Sequence, residues 1–217
     1  YTYFKMVVLV LVIKMLSILL HYYKRLSLTE DYKRSDLLVK KDMNMFKGLF
    51  SERINLAGAF AKNAHMGQTR KYTGEPYIVH PSAVAELLRL NYKECTEEMY
   101  MAALLHDTVE DTDATIEEIE EFFGKEVADL VEGLTDISKP EDGNRAKRKA
   151  IDRDHTAGSS KEVQTIKVFD LIHNTESIKE HDPKFWEVYK LEKQDLLNVM
   201  TKVDPEIKQL AWESIKD

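Results

Sequence analysis

Apolar residues return every three to four positions in block after block from residue 47 onward. No stretch alternates with the period of two that a half-buried strand needs. This spacing predicts helices over about 47–65, 81–90, 97–110, 116–123, 125–134, 144–156, 161–178, 184–201 and 205–215. Local punctuation agrees with several of these limits. Thr115 and Glu118 have capping-box spacing, and Gly124 suits a helix stop. Asp182-Pro183 and Asp204-Pro205 open the last two helices, and Ser138 to Gly143 reads as a loop. With no internal repeat or low-complexity tract, the pattern predicts an all-α domain.

The most informative interruption is Met101-Ala-Ala-Leu-Leu-His106-Asp107-Thr-Val-Glu110-Asp111, where an apolar, helix-forming run ends in four ionisable groups. At helical spacing His106 and Glu110 are i,i+4 neighbours, as are Asp107 and Asp111, so the four would share adjoining rows of one face. A desolvated charge at the end of a core helix needs a compensating partner, and carboxylates beside an imidazole suit a divalent cation. A solvated surface helix end is the plainer alternative. It ranks second because Ala102 to Leu105 reads as core.

A lone His-Asp pair is common by chance, so its weight depends on ligands from elsewhere in the chain. His80 stands directly before Pro81, with Val84, Leu87 and Leu88 forming an apolar stripe, which sets it at a helix entrance. Asp170 lies within the apolar run Ile166-Lys-Val-Phe-Asp170-Leu-Ile-His173-Asn174, where an acid is rarely left unpaired. Between Thr69 and Tyr77, two adjacent cations, Arg70 and Lys71, sit among aromatic rings and a Gly/Pro turn beside His80. Such a loop can surround a nucleotide, although by itself it would read as an ordinary solvated turn. Tyr72 and Tyr77 are expected to pack. His21, His155 and His181 are expected at the surface.

The composition of the 217 residues, 43% hydrophobic and 32% charged, fits one domain with a sizeable core. The single Cys95 excludes an intramolecular disulfide, so a reducing cytoplasm is the default. Residues 1–42 hold eight Lys and Arg against four Asp and Glu, leaving 23 against 34 in residues 43–217. That acidic balance opposes a general nucleic-acid grip but allows a local basic pocket for a small polyphosphate. Met6 to Leu20 is apolar except for Lys14 and Ser17. A central lysine costs about 2.5–3.5 kcal/mol on insertion, which makes a membrane span marginal. Residues 1–42 are therefore expected to be a leader of separate status, with a gene-start artefact or disordered leader ranked ahead of an anchor. Membrane contact would come only through residues 4–23, with the 43–217 domain cytoplasmic.

His80, His106-Asp107 and Asp170 together match the signature of the HD-domain metal-dependent phosphohydrolases, and the chain resembles in particular the hydrolase domain of the RelA/SpoT family. The likeness is carried in family order by Ala64–Pro81, Ala102–Thr112, Phe123–Thr135 and Ile166–Asn174, and Glu110-Asp111 after the HD pair separates this group from most HD enzymes. The resemblance implies an HD-domain helical bundle with a single-metal site, His80, His106, Asp107 and Asp170 holding one divalent ion, Mn²⁺ above others. It further implies that Glu110 and Asp111 orient water and exchange protons. Arg70, Lys71 and Asn174 would contact a small-molecule nucleotide, while His65 and His173 serve as structural or supporting groups rather than ligands. The implied reaction is hydrolysis of the 3′-pyrophosphate of ppGpp or pppGpp to GDP or GTP and pyrophosphate, by a small stand-alone hydrolase.

Two departures bear on the substrate. Leu171 stands where the family usually has a basic residue, and Asn174-Thr-Glu176 reverses a charge near the presumed pocket. Arg145, Lys147, Arg148 and Lys149 could replace lost phosphate contacts, or simply form a solvated helix face. Two other classes stay open: an HD phosphohydrolase acting on another nucleotide or phosphorylated metabolite, and a non-catalytic nucleotide-sensing module.

Overall fold

The computed structural model describes residues 52–216. The leader, its apolar stretch at 4–23 and the first residues of the earliest expected helix lie outside the described residues. Within them the chain forms α1 (Glu52–Ala64), α2 (Val79–Asn91), α3 (Glu97–Leu105), α4 (Thr108–Asp111), α5 (Ile116–Phe123) and α6 (Lys125–Leu134). A 3₁₀ turn at Pro140–Asp142 leads to α7 (Arg145–Gly158), α8 (Lys161–His181), α9 (Pro183–Val199) and α10 (Pro205–Ser214). No strand is present among the described residues. A single antiparallel bridge between Thr69 and Pro76 ties off the α1–α2 loop, where Gly74 supplies a positive φ of 71°.

Two helices form the middle of the bundle. α3 is buried along its whole length from Met99 to Leu105, the signature of a helix with apolar residues all round. α1, α2 and α6 pack around it. α8 crosses beside it and packs against α2, α6, α9 and α10, burying Ile166, Val168, Phe169 and Leu171. Each such side chain contributes roughly 1.5–3 kcal/mol by leaving water. Thr96 and Ser160 cap the two helices, accepting from the amides of Met99 and Val163.

The helix expected over 97–110 is broken. α3 ends at Leu105, and His106 and Asp107 form a turn before the short α4. Side chains stabilise the break: His106 Nδ1 lies 2.9 Å from the Ala103 carbonyl oxygen, and the Thr108 hydroxyl donates to the Leu105 carbonyl at 2.7 Å. His80 also differs from expectation. α2 begins at Val79, so His80 sits inside its first turn with Pro81 next, rather than ahead of the helix. His155 is half-buried, with an Nε2 that is buried and without a hydrogen-bond partner; it is not the surface residue expected.

α6 and α8 approach closely at Gly133, where an added Cβ would stand 2.8 Å from Cγ2 of buried Val163. Gly133→Val should therefore lower stability by about 1–3 kcal/mol through overpacking, read as a drop in the denaturation midpoint with the slope unchanged.

Candidate metal centre

The break after Leu105 has a consequence for chemistry. His106 and Asp107 sit at this turn, both with right-handed helical backbone, and face His80 at the start of α2 and Asp170 in the middle of α8. His80, His106 and Asp107 each bring one ligand atom within 4.8 Å of the others. Asp170 Oδ1 closes another side, 3.2 Å from His80 Nε2 and 3.7 Å from His106 Nε2. Both imidazoles are 1% exposed. His106 Nε2 lies 3.1 Å from Asp107 Oδ2 yet makes no hydrogen bond, so a buried nitrogen is aimed into the cluster without a proton partner. An orphaned imidazole nitrogen facing two carboxylates is what a divalent cation needs, and the mixed nitrogen and oxygen donors without thiolate suit Mn²⁺, Fe²⁺ or Zn²⁺.

The electrostatics agree. Burial pushes the His106 imidazole down, but Asp107 and Asp170 outweigh it and hold it above its ordinary range. Burial likewise opposes ionisation of Asp170. Lys167, one turn earlier on α8 and 3.4 Å from Asp170 Oδ2, overcomes this and keeps the carboxyl well below the usual range. The negative charge that favours a proton on His106 also favours a metal ion.

Outer contacts fix the ligands. His80 Nδ1 meets His173 Nδ1 at 2.8 Å, leaving His80 Nε2 to face the cluster. Burial and the neighbouring His80 push His173 down to about 4, so it is a neutral acceptor at ordinary pH and can hold the proton of His80 Nδ1. The Tyr77 hydroxyl donates to Asp107 Oδ2 at 2.7 Å and to Asp111 Oδ2 at 3.1 Å. Its ring stacks on buried His65, whose Nδ1 contacts Gln68. Gln68 in turn donates to the Asp111 carbonyl.

A cavity of about 480 Å³ opens from this cluster between α7, α8 and α9. Glu110 and Asp111 lie at it but diverge. Asp111 follows Asp107 to Tyr77, whereas Glu110 Oε2 accepts the Asp136 amide at 3.2 Å. Loss of hydration, with Asp136 nearby, pushes the Glu110 carboxyl up to about 7, although the residue remains open to solvent at the cavity mouth. Desolvation and Asp107 raise Asp111 as well.

The loop cations separate. Arg70 donates to Asn174 Oδ1 at 2.7 Å, and Asn174 donates to Asp170 Oδ1 at 2.6 Å, so both adjoin the cluster. Lys71 is exposed and instead meets the Tyr72 hydroxyl at 3.1 Å and Asp182 at 3.7 Å. Of the basic segment on α7, Lys149 lines the cavity and pairs with Asp136 at 2.6 Å, while Arg145 is held by Glu192. Arg148 borders a second cavity of about 240 Å³ beyond Glu110, and Lys147 is exposed outside both.

Sequence reasoning missed Tyr77 and Lys167. Tyr77 read as packing because a phenol carries no charge pattern. Lys167 could have been found, because a lysine three residues before a buried acid on one helix faces it.

An HD domain model matches residues 57–198, and the chain belongs to the HD-domain family. A guanosine-3′,5′-bis(diphosphate) 3′-pyrophosphohydrolase MESH1 from Danio rerio is 37% identical over 135 residues, which cover 61% of this chain and 73% of that protein. A guanosine-3′,5′-bis(diphosphate) 3′-pyrophosphohydrolase from Aquifex aeolicus is 56% identical over 89 residues, so the match spans 41% of this chain but 12% of that longer protein. Among solved structures, a metazoan ortholog of SpoT that hydrolyzes ppGpp superposes with a TM-score of 0.68 at 28% identity, covering 76% of this chain and 94% of that one. Among the described residues, no helix is long and apolar enough to cross a membrane.

The raised carboxyl of Glu110 has a stability signature. Its folded value of about 7 exceeds the ordinary 4.5, so the fold is penalised as pH rises through that window and the penalty is complete above it. Glu110→Gln should therefore melt higher than the parent at pH 8, with the gap shrinking toward pH 5 in a thermal shift series without added metal.

Proposed function

We propose that this protein is a metal-dependent phosphohydrolase that removes the 3′-pyrophosphate of guanosine tetra- or pentaphosphate. The single observation that carries this reading is the convergence of His80, His106, Asp107 and Asp170, with a buried unpartnered imidazole nitrogen, at the end of a polar cavity. The relatives named above, MESH1 among them, support the substrate.

A divalent ion held by these four residues, Mn²⁺ in preference, would supply Lewis acidity to the phosphoryl oxygen and lower the pKa of water beside it. Glu110 stands at the cavity with a carboxyl that titrates close to neutrality, which suits a base that takes the proton of the attacking water. As the new P–O bond forms, the bond between phosphorus and the 3′ oxygen breaks. Asp111, whose carboxyl is also raised and is held by Tyr77, is suited to protonate the departing 3′ oxygen. Arg70 and Asn174 form a hydrogen-bonded pair beside Asp170, with the guanidinium 5.7 Å from the Tyr77 ring. Together they offer a planar cation and an amide to a nucleobase. Lys71, turned toward Asp182, is a contact only for a substrate that reaches the loop surface.

Purified protein with Mn²⁺ should release pyrophosphate from ppGpp, lose activity to a chelator and regain it with Mn²⁺. Cleavage of other nucleotides without ppGpp turnover would overturn the substrate. Asp107→Ala should lose bound metal and nearly all turnover. His173→Ala should weaken metal affinity by about 10–100-fold, because it supports His80 from outside the cluster.

A further inference from the structure

The α1–α2 loop is fastened to α8 at two points. Arg70 donates to Asn174 Oδ1 at 2.7 Å, and two residues later the Tyr72 hydroxyl donates to Asp182 Oδ2 at 3.0 Å. Asp182 stands where α8 ends and α9 begins, and its other oxygen caps α9 by accepting the Phe185 amide at 3.2 Å. The two anchor points, Asn174 and Asp182, are roughly 12 Å apart along the helix. From Lys71 to Glu75 the loop is exposed except at Tyr72, which is half-buried. Its ring lies nearly parallel to that of His181, with centres 5.9 Å apart and planes 20° apart, and the Lys71 ammonium stands 4.7 Å from its centre.

Within the loop, Arg70 and the tip move as one piece. The Arg70 amide donates to the Glu75 carbonyl at 2.8 Å, and the Gly74 amide to the Arg70 carbonyl at 3.0 Å, next to the Thr69–Pro76 bridge. A stiff loop held at one point swings about that bond, whereas one held at two keeps its orientation. The first fastening is the one a ligand disturbs. The Asn174 oxygen accepts from Arg70 and its amide nitrogen donates to Asp170, so a nucleobase that takes this amide competes with one of them. The second fastening is out of the ligand's way, because neither Tyr72 nor Asp182 lines the cavity. We propose that Tyr72 is a positioning residue: bonded to Asp182, it holds the loop so that the Arg70 guanidinium stays at the cavity edge while Asn174 turns to the nucleotide. This rests on the phosphohydrolase reading above and adds to it the device that presents the base contact.

The test uses the full chain with Mn²⁺ and ppGpp. Tyr72→Phe keeps the ring and removes the hydroxyl; it should raise KM about fivefold with kcat within about twofold, the loss of one hydrogen bond to a carboxylate. Asp182→Ser, whose hydroxyl still caps α9 but no longer reaches Tyr72, should do the same. Both variants should bind Mn²⁺ as tightly as the parent, because the fastening touches none of the proposed ligands. In an Arg70→Ala background, Tyr72→Phe should leave kcat/KM unchanged, since the hydroxyl acts through Arg70. An unaltered KM in Tyr72→Phe, an equal loss with and without Arg70, or weakened Mn²⁺ binding would overturn the role of Tyr72 while leaving the hydrolase reading intact. Failure of the parent to turn over ppGpp would sink that reading and this inference with it.

Discussion

Four acceptor-rich side chains sit at the end of a packed core, and the rest of the structure answers the need to compensate them. Asp107 and Asp170 approach two imidazoles that are almost wholly removed from water. Carboxylates in such a place ionise only if positive charge is near. Lys167 provides it for Asp170 within the fold, and a cation held by the cluster would provide it for Asp107. Three separate elements, α2, the α3–α4 turn and α8, are thereby bound to one point.

That requirement also explains the shape of the chain around the cluster. The side-chain bonds of His106 and Thr108 to the preceding carbonyls satisfy groups that the break would otherwise strand. Tyr77 then spans Asp107 and Asp111, and His173 sets the ring of His80. Ligand geometry is fixed from outside as much as by the ligands themselves.

The helices were legible because their apolar positions repeat at 3.6 residues and their caps are explicit, as at Thr115 with Glu118 and at Asp204-Pro205. His80, His106, Asp107 and Asp170 stood out for the opposite reason: each interrupts an apolar run. The break after Leu105 was hidden, because Val109 continues the helical spacing and the bonds that end the helix depend on burial. Glu110 and Asp111 looked alike in sequence but face different partners, since only Asp111 stays in reach of Tyr77.

The two walls of the cavity come from different parts of the chain. Reaction chemistry is concentrated on α2, the α3–α4 turn and α8, while the opposing face is built from α7 and α9. None of the four proposed ligands lies on that face, so a substitution there would alter what the cavity admits without removing a donor to the cation.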